Sequence, residues 1–351
     1  MKIPFHIILR RKIRAIIDFL LHFFSPTITS TPIEKKEIKN ILLIRINYRI
    51  GNMLFITPLL DNLQKEFPNA KIDILLGASY TKSLFSGFKN VENIYDFPRK
   101  LLKHPLLTYK FIQKIRSQQY DAVVNINYAS SSDKLATFLT NAKYKIGFCK
   151  EKSFMPLNKC IRQKDKITHE ALKPLELLKI FTIKPNYNQF LKIYFTNNEI
   201  YEAQQELQKI LSSKDSKMIA IFRDARFEKK FNNQFWQELI SNLQQKDNIT
   251  FIDILSPDVP TKLTSTILSY SQKDLKKLAA FLSLLDGFIC ADTGPMHLAS
   301  ASGVSTIALF KTTTPKLYGT LKPNDLSIVT QEKTISQISD IILQQLQRNY
   351  K

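Results

Sequence analysis

Three stretches of the chain carry residue types and spacings suited to chemistry on an anionic ligand. In the first, Arg45-Ile46-Asn47-Tyr48-Arg49-Ile50-Gly51-Asn52 leaves an apolar, β-branched run and leads through Thr57-Pro58 into a helical pattern. Gly51 permits a tight turn, Asn52 is a good N-cap residue, and Thr57-Pro58 has the form of an N-cap followed by a first-turn proline. The helix is expected to begin between Gly51 and Pro58. In the second, a buried-type run ends in Asp292-Thr293-Gly294-Pro295-Met296-His297, and a helical pattern starts at once. Amides of Thr293 and Gly294 could turn toward an anion there, where a helix dipole favours negative charge. Simple capping by Asp292 and Thr293, with His297 in the interdomain core, would use the same residues. The third runs from Phe222 through Arg223, Asp224, Arg226, Lys229 and Lys230 to Phe231. A cation in this loop could neutralise a pyrophosphate leaving group, although charged loops are commonly just solvated.

The elements that must position these residues follow a β/α alternation. Apolar runs stand at Ile41–Ile46, Ile72–Leu76, Asp121–Ile126 and Tyr144–Phe148, with helical patterns near Leu59–Phe67, Pro105–Ser117, Asp133–Asn141 and Ala171–Phe181. After a Pro/Asn stretch at 185–188 a second series begins, with strands at Met218–Phe222, Ile249–Leu255, Gly287–Cys290 and Ser305–Phe310. Its helices are expected near Gln234–Gln245, Lys273–Leu285, His297–Ser302 and from Ser336 onward. Short apolar strands separated by helices imply parallel sheets covered on both faces. Two such series predict an α/β protein with two Rossmann-like domains facing across a cleft, with ligands beyond the carboxyl ends of the strands. The expected divisions are 1–39 as an extension and linker, 40–190 as the first domain and 191–351 as the second. The last helix has the option of packing back on the first domain.

Composition narrows the chemistry. At 351 residues the chain exceeds what one core normally serves. Its 51 Lys and Arg against 30 Asp and Glu give a net charge of +21, spread along the chain, which implies an anionic partner. No helix-turn-helix, zinc or RNP-like signature supports nucleic acid as that partner. Cys149, Cys160 and Cys290 form no paired framework and are expected to be free thiols. No histidine stands at metal-ligand spacing, there is no D-x-D, and none of the eight glycines builds a G-x-G-x-x-G or Walker loop. Neither a metal nor a bound cofactor is expected, and a phosphate site must rely on helix N-termini and cations.

Met1–Phe24 combines an apolar stripe (Leu9, Ile13, Ile16, Ile17, Leu20, Phe24) with Arg10, Arg11, Lys12 and Arg14. The charges interrupt any span of ~20 apolar residues, so the segment reads as an amphipathic helix. It either lies on anionic lipid, which its basic face suits, or packs on the adjoining domain.

Taken together, the motifs resemble those of glycosyltransferase family 9, the ADP-heptose:lipopolysaccharide heptosyltransferases. Asp292-Thr293-Gly294-Pro295-Met296-His297 matches the family's D-T-G-x-x-H signature, and Arg45 to Leu59 is similar to its opening strand and turn. Thr312-Thr313-Thr314-Pro315, Ile146-Gly147-Phe148 and His169-Glu170 fall at family-like places and in family order. The resemblance runs from about Asn40 to the C-terminus. It implies a GT-B fold, transfer with inversion, no metal, a nucleotide-sugar donor, an acidic lipid-linked glycan acceptor and work at the cytoplasmic face of the inner membrane. Carried over by position, Asp292, Thr293 and Gly294 would hold the diphosphate with His297 nearby. Lys229 would neutralise the departing phosphates, with Lys230 as its fallback; Asp258 would lie near the nucleoside, and Gly51 would also belong to the nucleotide-sugar-binding residues.

One departure bears on catalysis. Where the family has an aspartate that looks like the general base, this chain has Asn52, and an amide cannot accept a proton at neutral pH. Losing a base costs roughly 10²–10⁴-fold, so catalysis can persist. The proton could pass to His297, to Asp224 or to a donor phosphate. The alternative reading is a sugar-nucleotide-binding paralogue without turnover. For the N-terminal extension, removal of residues 1–26 is expected to weaken binding to anionic vesicles in a flotation assay while the melting temperature holds; unchanged flotation would refute the interfacial reading.

Overall fold

The computed structural model describes residues 25–97, 104–127, 130–149, 155–162, 167–211 and 216–348, so the expected helix within Met1–Phe24 lies outside the described residues. The first sheet consists of β1 (Asn40–Arg45), β2 (Lys71–Leu76), β3 (Val91–Asp96), β4 (Tyr120–Asn125), β5 (Ala142–Cys149) and β6 (Lys159–Arg162). These strands run parallel in the order β3-β2-β1-β4-β5-β6. Along β1 the side chains alternate: Ile41 and Leu43 join one buried cluster, Leu42 and Ile44 another. A continuous apolar run thus feeds both faces of a covered sheet.

The helices of this half are α1 (Ile50–Leu54), α2 (Thr57–Glu66), α3 (Pro105–Arg116) and α4 (Ser131–Leu139). The single helix expected after Gly51 is broken at Phe55–Ile56. Thr57 lies inside the first turn of α2 and donates its Oγ1 hydrogen to Leu54 O at 2.8 Å, so it closes α1 rather than capping α2. Asn52 lies within α1, whose N-cap position is Arg49. The stretch expected as a helix near Ala171–Phe181 is a 3-10 helix over Lys173–Phe181, buried at Pro174, Leu175, Glu176, Leu177, Leu178 and Phe181. Burial on nearly every side, instead of one stripe, accompanies the tighter winding.

The second half opens with α5 (Asn197–Ile210), followed by β7 (Lys217–Phe222), α6 (Asn233–Gln244), β8 (Ile249–Ile254), β9 (Leu268–Tyr270), α7 (Leu275–Leu282) and β10 (Gly287–Ala291). Then come α8 (Gly294–Ser302), β11 (Thr306–Phe310), α9 (Pro315–Tyr318), β12 (Leu326–Val329) and α10 (Ile335–Arg348). Its sheet is also parallel, in the order β12-β11-β10-β7-β8-β9. Counted from each sheet's own first strand, the two winding orders are the same, and the architecture is that of a GT-B protein. The buried residues of α10, Ile338, Ile342, Leu343 and Leu346, belong to the cluster around Trp236 and β7, so this helix packs in the second half and not back on the first.

Two further findings concern the frame. Cys149 and Cys160 are joined by a disulfide, which corrects the expectation of three free thiols; only Cys290 is free, and it is buried. The parallel pairing of β5 with β6 brings their Cα atoms to 5.4 Å, a separation that sequence spacing does not reveal. The halves are also spliced by the extended stretch before α5. Lys192 Nζ and Tyr194 Oη donate to the buried carboxylate of Asp61 on α2 at 2.9 and 2.5 Å, while Ile193 N donates to Ala301 O on α8 at 3.1 Å. Burial alone would raise the Asp61 pKa, but hydrogen bonds from Lys65, Tyr194 and Lys192 outweigh it and hold the carboxyl at about 2.

Candidate functional site

In each sheet the chain reverses its winding between two neighbouring strands, β1 and β4 in the first and β7 and β10 in the second. That reversal opens a crevice at their carboxyl ends. In the second half, three loops leaving β7, β10 and β11 converge there on one carboxylate. Asp292 accepts from Lys229 Nζ at 2.5 Å and from Thr313 Oγ1 at 2.5 Å, while its own amide donates to Leu309 O at 3.2 Å. Asp292 therefore holds the cation in place and does not face the crevice as a bare negative charge. Thr293 follows in extended conformation (φ −148°, ψ 168°), and α8 begins at Gly294 with no side-chain cap. An uncapped helix N-terminus beside a fixed lysine can bind a phosphate group.

The other candidates of this half divide. Lys230 turns away from Asp292 toward Asp224 at 3.4 Å, which also accepts from Ser256 Oγ at 3.2 Å. Asp258 stands exposed in the Ser256–Val259 turn, outside the Lys229–Asp292 cluster. Arg223, read from sequence as part of the basic loop, is buried. It makes a forked pair with Asp253 at 3.1 and 2.8 Å, and donates to Asn233 Oδ1 at 3.0 Å and Thr261 O at 2.6 Å. Its charge fixes the root of the loop and is not offered to a ligand.

In the first half, the loop leaving β1 is pinned along its length. Ile46 N donates to Asp133 Oδ1 at 3.1 Å, Tyr48 Oη to Phe97 O at 3.0 Å, and Tyr80 Oη to Tyr48 O at 2.7 Å. Asn47 Oδ1 accepts both the Arg49 amide at 3.0 Å and Asn52 Nδ2 at 3.3 Å. Asn52 thus uses its amide nitrogen on Asn47, which leaves its side-chain oxygen as a hydrogen-bond acceptor. Beneath the loop, burial raises the Asp133 pKa to about 7, a shift only partly offset by Ser130, Arg45 and the Ile46 amide. Asp133 Oδ2 and Arg45 Nε are buried without a hydrogen-bond partner.

The two halves meet where α1 crosses α8. A Cβ placed on Gly51 would stand 2.5 Å from His297 Cδ2, and one on Gly294 would stand 3.4 Å from Ile50 Cβ. His297 is 5% exposed and meets Phe55 edge-on at 4.7 Å between ring centroids. Burial lowers its pKa to about 3, so the ring is neutral, and Nδ1 has no partner. The imidazole is consequently a neutral wedge between the halves, shielded from solvent. His169 forms a second clasp: Nε2–H donates to Gly319 O at 2.9 Å while Nδ1 accepts from Ala171 N at 3.2 Å. Glu170 N reaches Leu317 O at 3.1 Å, and Tyr318 stacks on Phe55. The sequence placed His169, Glu170 and Thr313 within motifs without assigning them these contacts. Among the described residues, no group of three or more His, Cys, Asp or Glu is arranged to hold a metal ion.

Comparison with known proteins bears on the family and the fold. The sequence profile of "Glycosyltransferase family 9 (heptosyltransferase)" matches residues 108–341. The lipopolysaccharide core heptosyltransferase OpsX of Haemophilus influenzae is 22% identical over 293 residues, covering 80% of this chain and 81% of that protein. The solved glycosyl transferase family 9 protein of Veillonella parvula superposes with a TM-score of 0.75 at 16% identity, over 89% of this chain and 97% of its own. The E. coli heptosyltransferase WaaC with ADP gives a TM-score of 0.69 at 20% identity, over 88% and 99%. At these identities the solved structures establish the fold.

The buried His297 and Asp133 make opposite demands on pH. Native His297 stays neutral down to about pH 3, whereas the unfolded residue protonates below 6.5. Its contribution is complete above 6.5 and is lost as pH falls toward 3, by up to about 1.4 kcal/mol per pH unit. Native Asp133 keeps its proton up to about 7 against 3.8 unfolded, so its contribution falls as pH rises through that window. In urea titrations across these windows, the stability of His297→Gln relative to the parent should fall with rising pH, and that of Asp133→Asn should rise. Two flat difference curves would contradict both assignments.

Proposed function

The chain belongs to glycosyltransferase family 9, and from that premise we propose that it moves a heptose from ADP-heptose to a lipopolysaccharide core or related lipid-linked glycan. It is a glycosyltransferase; the proposal adds donor, acceptor, inversion at the anomeric carbon and independence of metal. The observation that carries it is the Lys229–Asp292–Thr313 cluster beside the uncapped start of α8, where Gly294 meets Ile50 and Gly51 of the first half. Kinship with OpsX, a core heptosyltransferase, and likeness in fold to a heptosyltransferase solved with ADP support the choice of donor and acceptor. The net charge of +21 and the basic Met1–Phe24 segment support an acidic, membrane-borne acceptor at the cytoplasmic face.

In this reading the acceptor oxygen attacks the anomeric carbon as the bond to the diphosphate breaks, and ADP leaves with the electron pair. Lys229 and the Thr293–Gly294 amides stabilise the charge that grows on the diphosphate. The Asn52 side-chain oxygen orients the acceptor hydroxyl by accepting its hydrogen bond. The hydroxyl proton passes to a donor phosphate oxygen, because His297 is buried and Asp224 is engaged with Lys230 and Ser256.

The test is ADP formation with and without a lipopolysaccharide-core acceptor, paired with thermal shifts by ADP- and GDP-linked sugars. Acceptor-dependent ADP release and stabilisation by ADP-heptose are expected. Stabilisation without any acceptor-dependent release would make the chain a binding paralogue. Lys229→Ala should lower turnover by about 10²–10³-fold with the fold intact. Asn52→Asp should keep or raise turnover by restoring a carboxylate base. A folded but inactive Asn52→Asp protein would show that the amide's bond to Asn47 is itself required.

A further inference from the structure

α3 is anchored along one side only. Phe111 and Ile112 are half-buried and Ile115 is buried, and together with Ile46 and Leu75 they line an apolar recess between α3 and α4. The opposite side presents apolar residues to solvent, with Leu106 78% exposed, Leu107 52% and Tyr109 61%. The same helix exposes Lys110, Lys114 and Arg116. From Pro105 to Tyr120 these three are the Lys and Arg, and the stretch holds no Asp or Glu. The flanking acids are engaged: Asp96 pairs with Lys82, and Asp121 accepts from the amides of Lys39 and Asn40 at 2.8 Å.

An apolar first turn continued by a basic flank is complementary to a surface with negative headgroups above hydrocarbon. A 12-residue helix is too short to span a bilayer but long enough to lie in its interface. Position links this face to the site, because Tyr48, in the loop from β1 to Asn52, donates to Phe97 O, and the Phe97 ring meets Phe111 of α3 at 5.4 Å between centroids. We infer that the first turn and basic flank of α3 form a docking surface for an anionic lipid bilayer, which brings the β1–α1 loop to a membrane-borne acceptor. The purpose of this surface rests on the proposed function; its existence is tested without it.

The experiment uses the full chain and vesicles of equal parts phosphatidylcholine and phosphatidylglycerol. The chain has one tryptophan, Trp236, fully buried, so Leu107→Trp adds a reporter on the helix. Its emission should shift to the blue on these vesicles and not on pure phosphatidylcholine, and brominated lipid should quench it. Replacing Lys110, Lys114 and Arg116 together by Gln should lower the partition coefficient ~10²-fold, taking each cation near the surface as worth about 5-fold. Replacing Leu106, Leu107 and Tyr109 together by Ser should lower it at least ~10-fold. Stabilisation by ADP-heptose should be the same in all variants and the parent, so its loss in the parent would strike the proposed function and not this surface. An unshifted reporter on bound protein would overturn the inference even if the triple variants failed to fold. So would unchanged partitioning in both folded triple variants, or a change confined to self-association, which would assign the face to a second copy.

Discussion

Gly51 has no side chain because the imidazole of His297 occupies the space one would need. The His297 ring is also packed against Phe55, at 4.7 Å between centroids and nearly perpendicular to it. This contact sets how near α1 approaches α8, and with it the approach of Ile50 and Gly51 to Gly294. A buried imidazole is tolerable there only in its neutral form. The junction is therefore held by shape and burial, while the charged chemistry lies at its rim in Lys229 and Asp292.

Each sheet contributes to that rim in the same manner. Both wind in the same order, so each opens a crevice at the strand pair where the winding reverses, and the loops that fill the two crevices approach each other. The loops are rigid for different reasons. In the second half a carboxylate gathers three of them, with Lys229 and Thr313 both on Asp292. In the first, Asn47 and Asp133 take up backbone amides that would otherwise be orphaned in a tight turn.

Much of this could be read from residues alone, and the failures share a cause. The central strands were recognisable because they are buried on both faces and hence continuously apolar. The four strands that escaped, β3, β6, β9 and β12, are the four sheet edges. Val91–Asp96, for example, is buried only at Tyr95 and carries the exposed Glu92 and Asn93, so it shows no apolar run. α5 also escaped, although its capping box of Thr196 and Glu199 was a usable signal. At the site, the strand–turn–helix context located Asp292, Thr293 and Gly294. It could not tell that Asp292 would grip Lys229, that Lys230 would turn to Asp224, or that Arg223 would be buried on Asp253. Those outcomes depend on which neighbouring loop arrives with an opposite charge, and the Cys149–Cys160 bond depends likewise on strand register.

The splice at Lys192–Tyr194 gives the molecule a spine. Successive residues are bound alternately, Lys192 and Tyr194 to the helix after α1 and Ile193 to the helix that carries His297. Neither half can slide along this strand without breaking bonds on both sides of it. The parting that would spare those bonds is a rotation about that line, like pages about a binding: wide at the outer margin, where the His169–Gly319 and Glu170–Leu317 bonds would have to break, and almost still at the fold itself.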